Sequence, residues 1–365
     1  MAEAPLSPGS TIGILGGGQL GRMLAIAAAR LGLRCHIFAD DAEAPAFDVA
    51  TAHTLATFDD QAALEDFAHA VDVATFEFEN VPVSALQTVA EIVPVYPGPK
   101  ALELTQDRLI EKDFLQAHGI PVAPYQAVNS PQELERALER IGVPALLKTR
   151  RLGYDGKGQV KIENGSASTA ISGELAGQLL LLESFIPFER ELSVVLVCDL
   201  SGDMRCYDVA ENVHKNQILQ ETRVPARISE ETAAGAQKMA EQIAVGLDIV
   251  GVVCVEFFDC GVDAATPLMV NEIAPRVHNS GHWTLDGCLV SQFENHMRAV
   301  AGWPLGPTER HSNAVMTNLI GDDVERWHAA LGDPQTALHL YGKNESRKGR
   351  KMGHMTRLLP KNAGQ

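Results

Sequence analysis

The sequence predicts an α/β protein that begins with a parallel β-sheet and continues into a mixed α+β region. Two observations support this fold class. Short apolar strands alternate with helices over the first hundred residues, as expected for a parallel sheet with helices on both faces. A glycine-rich turn follows the first strand, and tight strand-to-helix connections favour glycine.

The N-terminal elements follow from local patterns. Residues 11–15 (TIGIL) form a short buried strand, and RMLAIAAARLG then has helical spacing, with Gly32 where the helix ends. Residues 33–41 and 71–78 are predicted strands, and a helix is predicted over 61–70. Residues 93–100 (VPVYPGPK) are predicted to form a turn that leaves the first domain.

The later part contains three predicted helices and several strands. A polar helix is predicted from Thr105 to His118, another over 130–142 with Ser130 as its cap and Pro131 at its first position, and a third over 230–246. The predicted strands are 144–149, 160–163, 179–186, 191–199, 204–213, 250–259 and 267–274.

Length, charge and cysteine content limit the possible classes of protein. The chain has 365 residues, enough for two or three domains, and its formal net charge of −17 argues against a general nucleic-acid binder. The six cysteines form no CxxC pair, so reduced thiols are expected. The chain has no apolar run of about 18 residues, so no membrane span is expected. Its start lacks the pattern of a secretory signal, so a cytoplasmic location is expected.

The loop at Gly16–Gly21 (GGGQLG) fits the GxGxxG pattern between a strand and a helix. Asp40 and Asp41 follow about 20 residues later, as in a dinucleotide site. Three interpretations remain open at this point. They are NAD or FAD, another ligand at this edge of the sheet, and a turn with a purely structural role.

A lysine and a glycine-rich segment lie close together in the second part. Lys148 is near the end of a predicted strand, and residues 153–159 (GYDGKGQ) contain three glycines in six residues. The lysine can pair with phosphates while the segment closes over them as a flap. The alternative is a β-hairpin with a convenient turn.

Two carboxylates lie on neighbouring predicted strands, Glu256 in VCVEFFD and Glu272 in VNEIA, with Asn271 beside the second. Paired oxygen ligands suit Mg²⁺ that bridges nucleotide phosphates. A carboxylate among apolar residues is costly to bury without a partner. An isolated salt bridge is the alternative to a metal site.

Two further segments are rich in hydrogen-bond donors. Residues 274–284 (APRVHNSGHWT) crowd Arg, His, Asn, Ser and Thr side chains after a strand, which favours an anionic or carbonyl ligand over an ordinary surface loop. Residues 341–361 carry seven Lys or Arg and one acidic residue, Glu345. Phosphate binding is the favoured interpretation there, and a solvated basic end is the alternative.

With these segments in order, the chain resembles the ATP-grasp superfamily. Within it, the chain is similar to the 5-(carboxyamino)imidazole ribonucleotide synthases of purine biosynthesis. The matching stretches span nearly the whole chain: GILGGGQLGRM (13–23), TFEFENVP (75–82), DRLIEKDFL (107–115), LLKTRRLGYDGKGQ (146–159), ENVHKNQIL (211–219), NEIAPRVHNSGHWT (271–284) and GRKMGH (349–354).

The resemblance implies a set of site residues. It assigns ATP contacts to Arg108, Lys148, Gly153, Tyr154, Asp155, Gly156, Lys157, Gly158, Gln159, Glu183, Ser184, Phe185, Ile186, Glu191, His214, Asn271 and Glu272. It assigns the ribonucleotide to Gly18, Gln19, Leu20, Glu77, Glu79, Asn80, Tyr154, Asp155, Lys343 and Arg350. The expected catalytic group is Lys148, Asp155, Arg276, His278 and Asn279. Glu256 and Glu272 are expected to hold Mg²⁺, with Mn²⁺ as a substitute.

The resemblance also implies the architecture and the reaction. An N-terminal Rossmann-like domain (1–106) would precede the small lid domain (107–182) and the C-terminal domain (183–300) of an ATP-grasp fold, with a cap at 301–365. Bicarbonate and ATP would give carboxyphosphate, which carboxylates the amine of 5-aminoimidazole ribonucleotide. A homodimer is expected.

Three alternatives to this function remain open. A sister ATP-grasp ligase would share Lys148, Glu256 and Glu272 but act on another acceptor. A nicotinamide oxidoreductase would use Gly16–Gly21 and Asp40. The third is a nucleotide-binding regulator without activity, against which the intact Lys148, Glu256 and Glu272 argue.

Overall fold

The computed structural model of the chain describes residues 4–153, 157–163, 171 and 175–361. Three residues expected to contact ATP or the ribonucleotide, Tyr154, Asp155 and Gly156, lie outside the described residues.

The first region is a parallel four-stranded sheet in the order β3-β2-β1-β4. Its strands are β1 (Thr11–Leu15), β2 (Arg34–Ala39), β3 (Ala52–Leu55) and β4 (Val73–Phe76), and its helices are α1 (Gln19–Arg30), α2 (Gln61–His69) and α3 (Val83–Ala90). Ile12 and Ile14 pack with α1 on one face, whereas Leu15 and Phe38 pack with α2 and α3 on the other. The predicted parallel sheet with helices on both faces is confirmed, although β3 and α3 were not predicted.

The helix predicted from Thr105 to His118 is confirmed as α5 (Arg108–Ala117), which begins three residues later than predicted. The Asp107 side chain accepts a hydrogen bond from the Leu109 amide at 3.0 Å and so caps α5. A further helix, α4 (Pro99–Thr105), precedes it. The turn predicted over 93–100 was wrong at its end, because Pro99 takes the first position of α4.

A small antiparallel sheet follows, in the order β5-β8-β6-β7. Its elements are β5 (Tyr125–Val128), α6 (Pro131–Ile141), β6 (Ala145–Thr149), β7 (Gln159–Ile162) and β8 (Leu180–Ser184). The predicted cap of α6 is confirmed, because the Ser130 hydroxyl accepts from the Glu133 amide at 3.2 Å. β6 and β7 pair directly, so the glycine-rich segment between them joins the two strands of a hairpin.

The largest sheet contains nine strands within the described ranges. The order is β14-β13-β9-β11-β12-β15-β17-β16, and β10 pairs with β9. The strands are β9 (Arg190–Cys198), β10 (Met204–Cys206), β11 (Ala210–Lys215), β12 (Ile218–Val224), β13 (Gly251–Asp259), β14 (Leu268–Ala274), β15 (Asn313–Ile320), β16 (Thr336–Leu340) and β17 (Lys351–Leu359). The strand predicted over 204–213 is divided into β10 and β11, which both pair with β9 and are separated by a one-residue shift in register.

The remaining helices are α7 (Glu230–Gly246), α8 (Thr284–Gly287), α9 (Gln292–Val300) and α10 (Trp327–Leu331). α9 packs beside α1 and also against β9 and β13, so it joins the N-terminal sheet to the largest one. All six cysteines are free thiols, as predicted, and four of them are buried. Among the described residues, no helix is long and apolar enough to cross a membrane.

Candidate active site

The glycine loop after β1 encloses a carboxylate of the protein itself. Glu77, just after β4, is buried and accepts hydrogen bonds from the amides of Gly18 at 2.5 Å and Gly21 at 2.6 Å. Gly16 has a φ of +111°, and a Cβ there would overlap the Glu77 side chain. The glycines are therefore required by close packing against this carboxylate.

This arrangement decides between the interpretations of the GxGxxG pattern. In a dinucleotide site, amides at the start of the helix bind the pyrophosphate. Here the Glu77 carboxylate already occupies the Gly18 and Gly21 amides. The geometry disfavours NAD or FAD at this loop.

The basic tail, residues 341–361, lies close to the glycine loop. Lys343 donates to the Lys351 carbonyl at 2.8 Å, and Arg350 donates to the Glu345 carbonyl at 2.9 Å. Burial, followed by the charge of Arg350, lowers the pKa of Lys343 to about 8, and the Glu77 carboxylate opposes this shift. Lys343 is thus close enough to Arg350 and to Glu77 for both charges to act on it, in the region where the resemblance places the ribonucleotide.

An ion pair joins the N-terminal sheet to the donor-rich loop after β14. The Arg276 guanidinium donates to the Glu79 carboxylate and to the Val277 carbonyl. Burial raises the pKa of Glu79, but the Arg276 charge and hydrogen bond outweigh it and hold that pKa below its usual range. Glu79 therefore remains ionised beside Arg276.

A buried cluster of charges lies beneath the small sheet. Lys148 on β6 donates to Glu183 on β8 at 2.7 Å, and Lys112 on α5 lies 3.4 Å from the other Glu183 oxygen. Burial would raise the pKa of Glu183, but the two lysines lower it to about 2. Glu183 is therefore a permanent anion between two cations.

Arg108 links this region to the hairpin and to the predicted metal pair. It donates to the Gly153 carbonyl at 3.0 Å and to Glu272 at 3.4 Å. Because Arg108 is the first residue of α5 and Lys112 lies one turn later, both project from the same side of the helix.

Glu256 and Glu272 face each other directly across β13 and β14. Burial, followed by the charge of Glu272, raises the pKa of Glu256 to about 8. Such a pair favours a cation, and carboxylate oxygens are the ligands that Mg²⁺ prefers. The described residues contain no group of three or more His, Cys, Asp or Glu side chains that could hold a metal. A cation here would thus need further oxygens from the nucleotide.

Two histidines lie beside this pair of carboxylates. His278 Nε2 is 3.4 Å from Glu256, and His214 Nδ1 is 2.7 Å from Glu191. Burial, followed by the charge of Arg276, lowers the pKa of His278 well below its usual value. His278 is therefore neutral at physiological pH. The His214 pKa is raised: burial lowers it, but the hydrogen bond to Glu191 outweighs this effect.

The other predicted loop residue, Asn279, already has a partner for its amide group. Its Nδ2 donates to Asn318 Oδ1 at 3.0 Å, and Asn318 Nδ2 donates back to Asn279 Oδ1 at 2.8 Å. The next residue, Ser280, accepts from the Ser193 hydroxyl at 2.8 Å. These bonds fix the loop on β9 and β15, so the geometry favours a supporting role for Asn279.

The hairpin between β6 and β7 is closed at its base by backbone bonding. The Thr149 amide donates to the Gly158 carbonyl at 2.8 Å, and Gly158 has a φ of +70°. Gln159 donates to Gln217, in the turn between β11 and β12. Gln159 thus contacts the large sheet, and Gly153 contacts Arg108, so both ends of the hairpin connection face predicted site residues.

The remaining predicted contacts occupy the edges of the site. Ser184, Phe185 and Ile186 continue the chain from Glu183, and the Phe185 amide donates to the Pro144 carbonyl at 3.1 Å. Gln19 and Leu20 begin α1, and Asn271 precedes Glu272 on β14. Asn80 follows Glu79 and is partly buried.

Sequence reasoning missed two residues of this site. Lys112 and Asn318 are almost completely buried polar residues that contact predicted site residues. The only signal for Lys112 was its position one turn after Arg108. Asn318 had none, since β15 was not predicted.

Comparison with known proteins gives consistent matches along the chain. The ribonucleotide synthetase preATP-grasp domain matches residues 10–106, the ATP-grasp domain matches 113–293, and the phosphoribosylaminoimidazole carboxylase C-terminal domain matches 314–363. The N5-carboxyaminoimidazole ribonucleotide synthase of Brucella melitensis is 52% identical over 99% of both chains.

Solved structures agree with these matches. The N5-carboxyaminoimidazole ribonucleotide synthetase of Thermus thermophilus has a TM-score of 0.88 and 43% identity, covering 95% of this chain and 93% of its own. The Aspergillus clavatus synthase, in complex with ADP and 5-aminoimidazole ribonucleotide, has a TM-score of 0.88 and 32% identity, covering 97% and 94%. With identities of this size over almost the full length, the chain belongs to the ATP-grasp enzymes and, among them, to the N5-carboxyaminoimidazole ribonucleotide synthase family.

Proposed function

We propose that the protein carboxylates the exocyclic amine of 5-aminoimidazole ribonucleotide with ATP and bicarbonate. The products are 5-(carboxyamino)imidazole ribonucleotide, ADP and phosphate, in de novo purine biosynthesis. The observation that supports this proposal is the presence of two groups of cations at the positions that the resemblance assigns to the two substrates. Arg108 pairs with Glu272 and Lys148 with Glu183, whereas the charges of Arg350 and Glu77 both act on Lys343.

The first step is phosphoryl transfer. A bicarbonate oxygen attacks the γ-phosphorus of ATP, the bond to the ADP oxygen breaks, and carboxyphosphate forms. Lys148 and Arg108 provide positive charge where the transferred group becomes more negative. Glu256 and Glu272 are the residues that would hold Mg²⁺, or Mn²⁺ in its place. When bound, the ion would neutralise phosphate charge.

In the second step the amine nitrogen attacks the carboxyl carbon of carboxyphosphate. The C–O bond to phosphate breaks, and the amine loses a proton. Carboxyphosphate hydrolyses readily in water, so the hairpin that carries Gly153 and Gly158 would exclude solvent. Arg276 and neutral His278 are suited to bind the bicarbonate, and Asp155 is proposed to orient the amine.

A sister ligase with another acceptor is the second candidate. It would need the Lys148 and Glu272 side of the site but not the tail. The closeness of Lys343 to Arg350 favours the ribonucleotide, because two neighbouring cations fit a substrate phosphate. The protein is further proposed to be a cytoplasmic homodimer that binds small molecules and no nucleic acid.

A coupled assay of ADP release tests this function. We expect ADP release to require both bicarbonate and 5-aminoimidazole ribonucleotide. Equal release without the ribonucleotide would contradict the proposed acceptor. Protection against thermal unfolding by ATP with Mg²⁺, and none by NADH, would separate the ligase from an oxidoreductase. Sedimentation velocity would test the dimer.

A further inference from the structure

Lys112 is a buried charged residue in the same cluster as Lys148, one of the cations proposed to bind ATP. It lies on α5, one turn after Arg108, and only 3% of its side chain is exposed. Lysine is almost never buried this completely without a partner, because its ammonium group is strongly hydrated in water. Its contacts therefore explain its position.

Two contacts place Lys112 between the two sheets of the ATP-grasp region. Its Nζ lies 3.4 Å from Glu183 Oε1, on β8 of the small sheet. The same nitrogen donates to the Asn271 carbonyl at 3.5 Å, on β14 of the large sheet. Asn271 directly precedes Glu272, so Lys112 connects the strand behind Lys148 with the strand that carries the predicted metal pair.

The charges around Glu183 require this second lysine. Lys148 holds one oxygen of Glu183, and Lys112 lies next to the other. Two positive charges and one negative charge leave the cluster with a net positive charge. Without Lys112, Glu183 would cancel the charge of Lys148, and the nucleotide phosphates would meet a neutral pair.

Glu111, the neighbour of Lys112 in the chain, does not alter this balance. Its Oε2 accepts from the Ile273 amide at 3.1 Å. Burial raises its pKa to about 8, so it is mostly protonated at neutral pH. Arg108 adds a further positive charge nearer the mouth, where Glu272 accompanies it.

We propose that Lys112 is a positioning residue for ATP. Its positive charge balances the negative charge of Glu183, so that the Lys148 charge remains available to the nucleotide phosphates. It also holds β8 and β14 at the spacing that the nucleotide needs. This inference rests on the proposed function only in taking ATP as a substrate.

The test compares Lys112→Met with Lys112→Arg and with Lys238→Met, which removes an exposed lysine on α7. The probe is ADP with Mg²⁺, titrated by calorimetry. We expect Lys112→Met to raise the Kd for ADP roughly tenfold, the usual size of effect when a partner of a ligand-binding side chain is lost. Lys112→Arg and Lys238→Met should bind ADP like the wild type. The KM for 5-aminoimidazole ribonucleotide should change less than about twofold in all three variants, because the residues proposed to bind it, Lys343 and Arg350, are not in the Lys112 cluster.

A double variant distinguishes charge compensation from packing. Lys112→Met with Glu183→Gln removes one positive and one negative charge, which restores the net charge of the wild-type cluster. The reference for this variant is Glu183→Gln alone, because Glu183 is itself an expected ATP contact. We expect the double variant to bind ADP within about threefold of Glu183→Gln. Wild-type affinity in Lys112→Met, or a loss of about tenfold when Lys112→Met is added to Glu183→Gln, would overturn the proposal.

Should Lys112→Met alone fail to fold, the double variant and Lys112→Arg decide the question. The proposal is supported if the double variant binds within about threefold of Glu183→Gln and Lys112→Arg binds within about threefold of the wild type. A loss of about tenfold or more in either comparison overturns it. Binding of ADP does not depend on the carboxyl acceptor. A wild-type enzyme that binds ADP but does not use the ribonucleotide would therefore contradict the proposed function without affecting this inference.

Discussion

Glu183 is a buried carboxylate and Glu256 a partly buried one, and their surroundings differ in charge. Glu183 lies between Lys112 and Lys148, and its pKa is lowered to about 2. Glu256 faces Glu272 across two strands, and its pKa is raised to about 8. The first cluster contains its own counter-charges. In the second, Arg108 accompanies Glu272, and a bound cation would add further positive charge.

This difference separates structural charge from functional charge. Removing a member of the Glu183 cluster leaves a buried ion without its partner, which is strongly destabilising. Removing the Glu256 carboxylate relieves its repulsion with Glu272, and Glu272 itself has a partly exposed ion pair, with Arg108. Loss of stability should therefore follow changes at Glu183, and loss of activity with intact stability should follow changes at Glu272.

The largest effect is expected for Glu272→Gln. An amide is a poor ligand for Mg²⁺, so turnover should fall at least about 1000-fold, a barrier increase of about 4 kcal/mol. The thermal unfolding midpoint should stay within a few degrees of the wild type. A residual rate above about a tenth of the wild type would show that Glu272 does not hold the metal.

Glu183→Gln should instead destabilise the fold by about 3 kcal/mol, because two buried ammonium groups lose the carboxylate between them. Denaturant unfolding measures this difference. Glu256→Gln is the matched control, and its free energy of unfolding without metal should be unchanged or higher. Equal destabilisation by the two substitutions would remove the distinction between the clusters.

Arg350→Ala extends the comparison to the tail. Loss of a charge-assisted contact worth about 1.5–3 kcal/mol should raise the KM for 5-aminoimidazole ribonucleotide roughly 10- to 150-fold. The KM for ATP should hardly change, because the cations proposed to bind ATP are Lys148 and Arg108. The two titrations are made at one ionic strength. Parallel losses for both substrates, or none for either, would place Arg350 outside the site.

The smallest expected effect is the pH dependence of the Glu183 cluster. A folded-state pKa of about 2 lies below the unfolded value of 4.5, so the stabilisation is complete above about pH 4.5 and decreases as the pH falls towards 2. The stability difference between the wild type and Glu183→Gln should shrink by about 1 kcal/mol between about pH 6 and pH 4. A difference that grows over this range would mean that the Glu183 pKa is not lowered.

Local patterns were sufficient for part of this structure. The pairing of Glu256 with Glu272 followed from two apolar strands that are close in the chain and each carry one carboxylate. The cap at Ser130 and the helix over 230–246 followed from composition alone. Such features depend on neighbours within a few residues.

Other features depend on contacts between distant segments. The burial of Lys112 against Glu183 joins positions 71 residues apart, because α5 packs beneath a sheet formed later in the chain. Asn318 bonds Asn279 from β15, which has no distinctive local pattern. The start of α5 was predicted at Thr105, three residues early, because only the side-chain bond to the Leu109 amide identifies Asp107 as the cap.

The Glu77 carboxylate within the glycine loop has a consequence for how this sequence can vary. Gly16, Gly18 and Glu77 constrain one another, although Gly18 and Glu77 are 59 positions apart in the chain. A larger residue at either glycine would displace Glu77, and loss of Glu77 would leave the Gly18 and Gly21 amides to bind another anion. Divergent descendants of this chain should therefore keep all three residues or exchange them together.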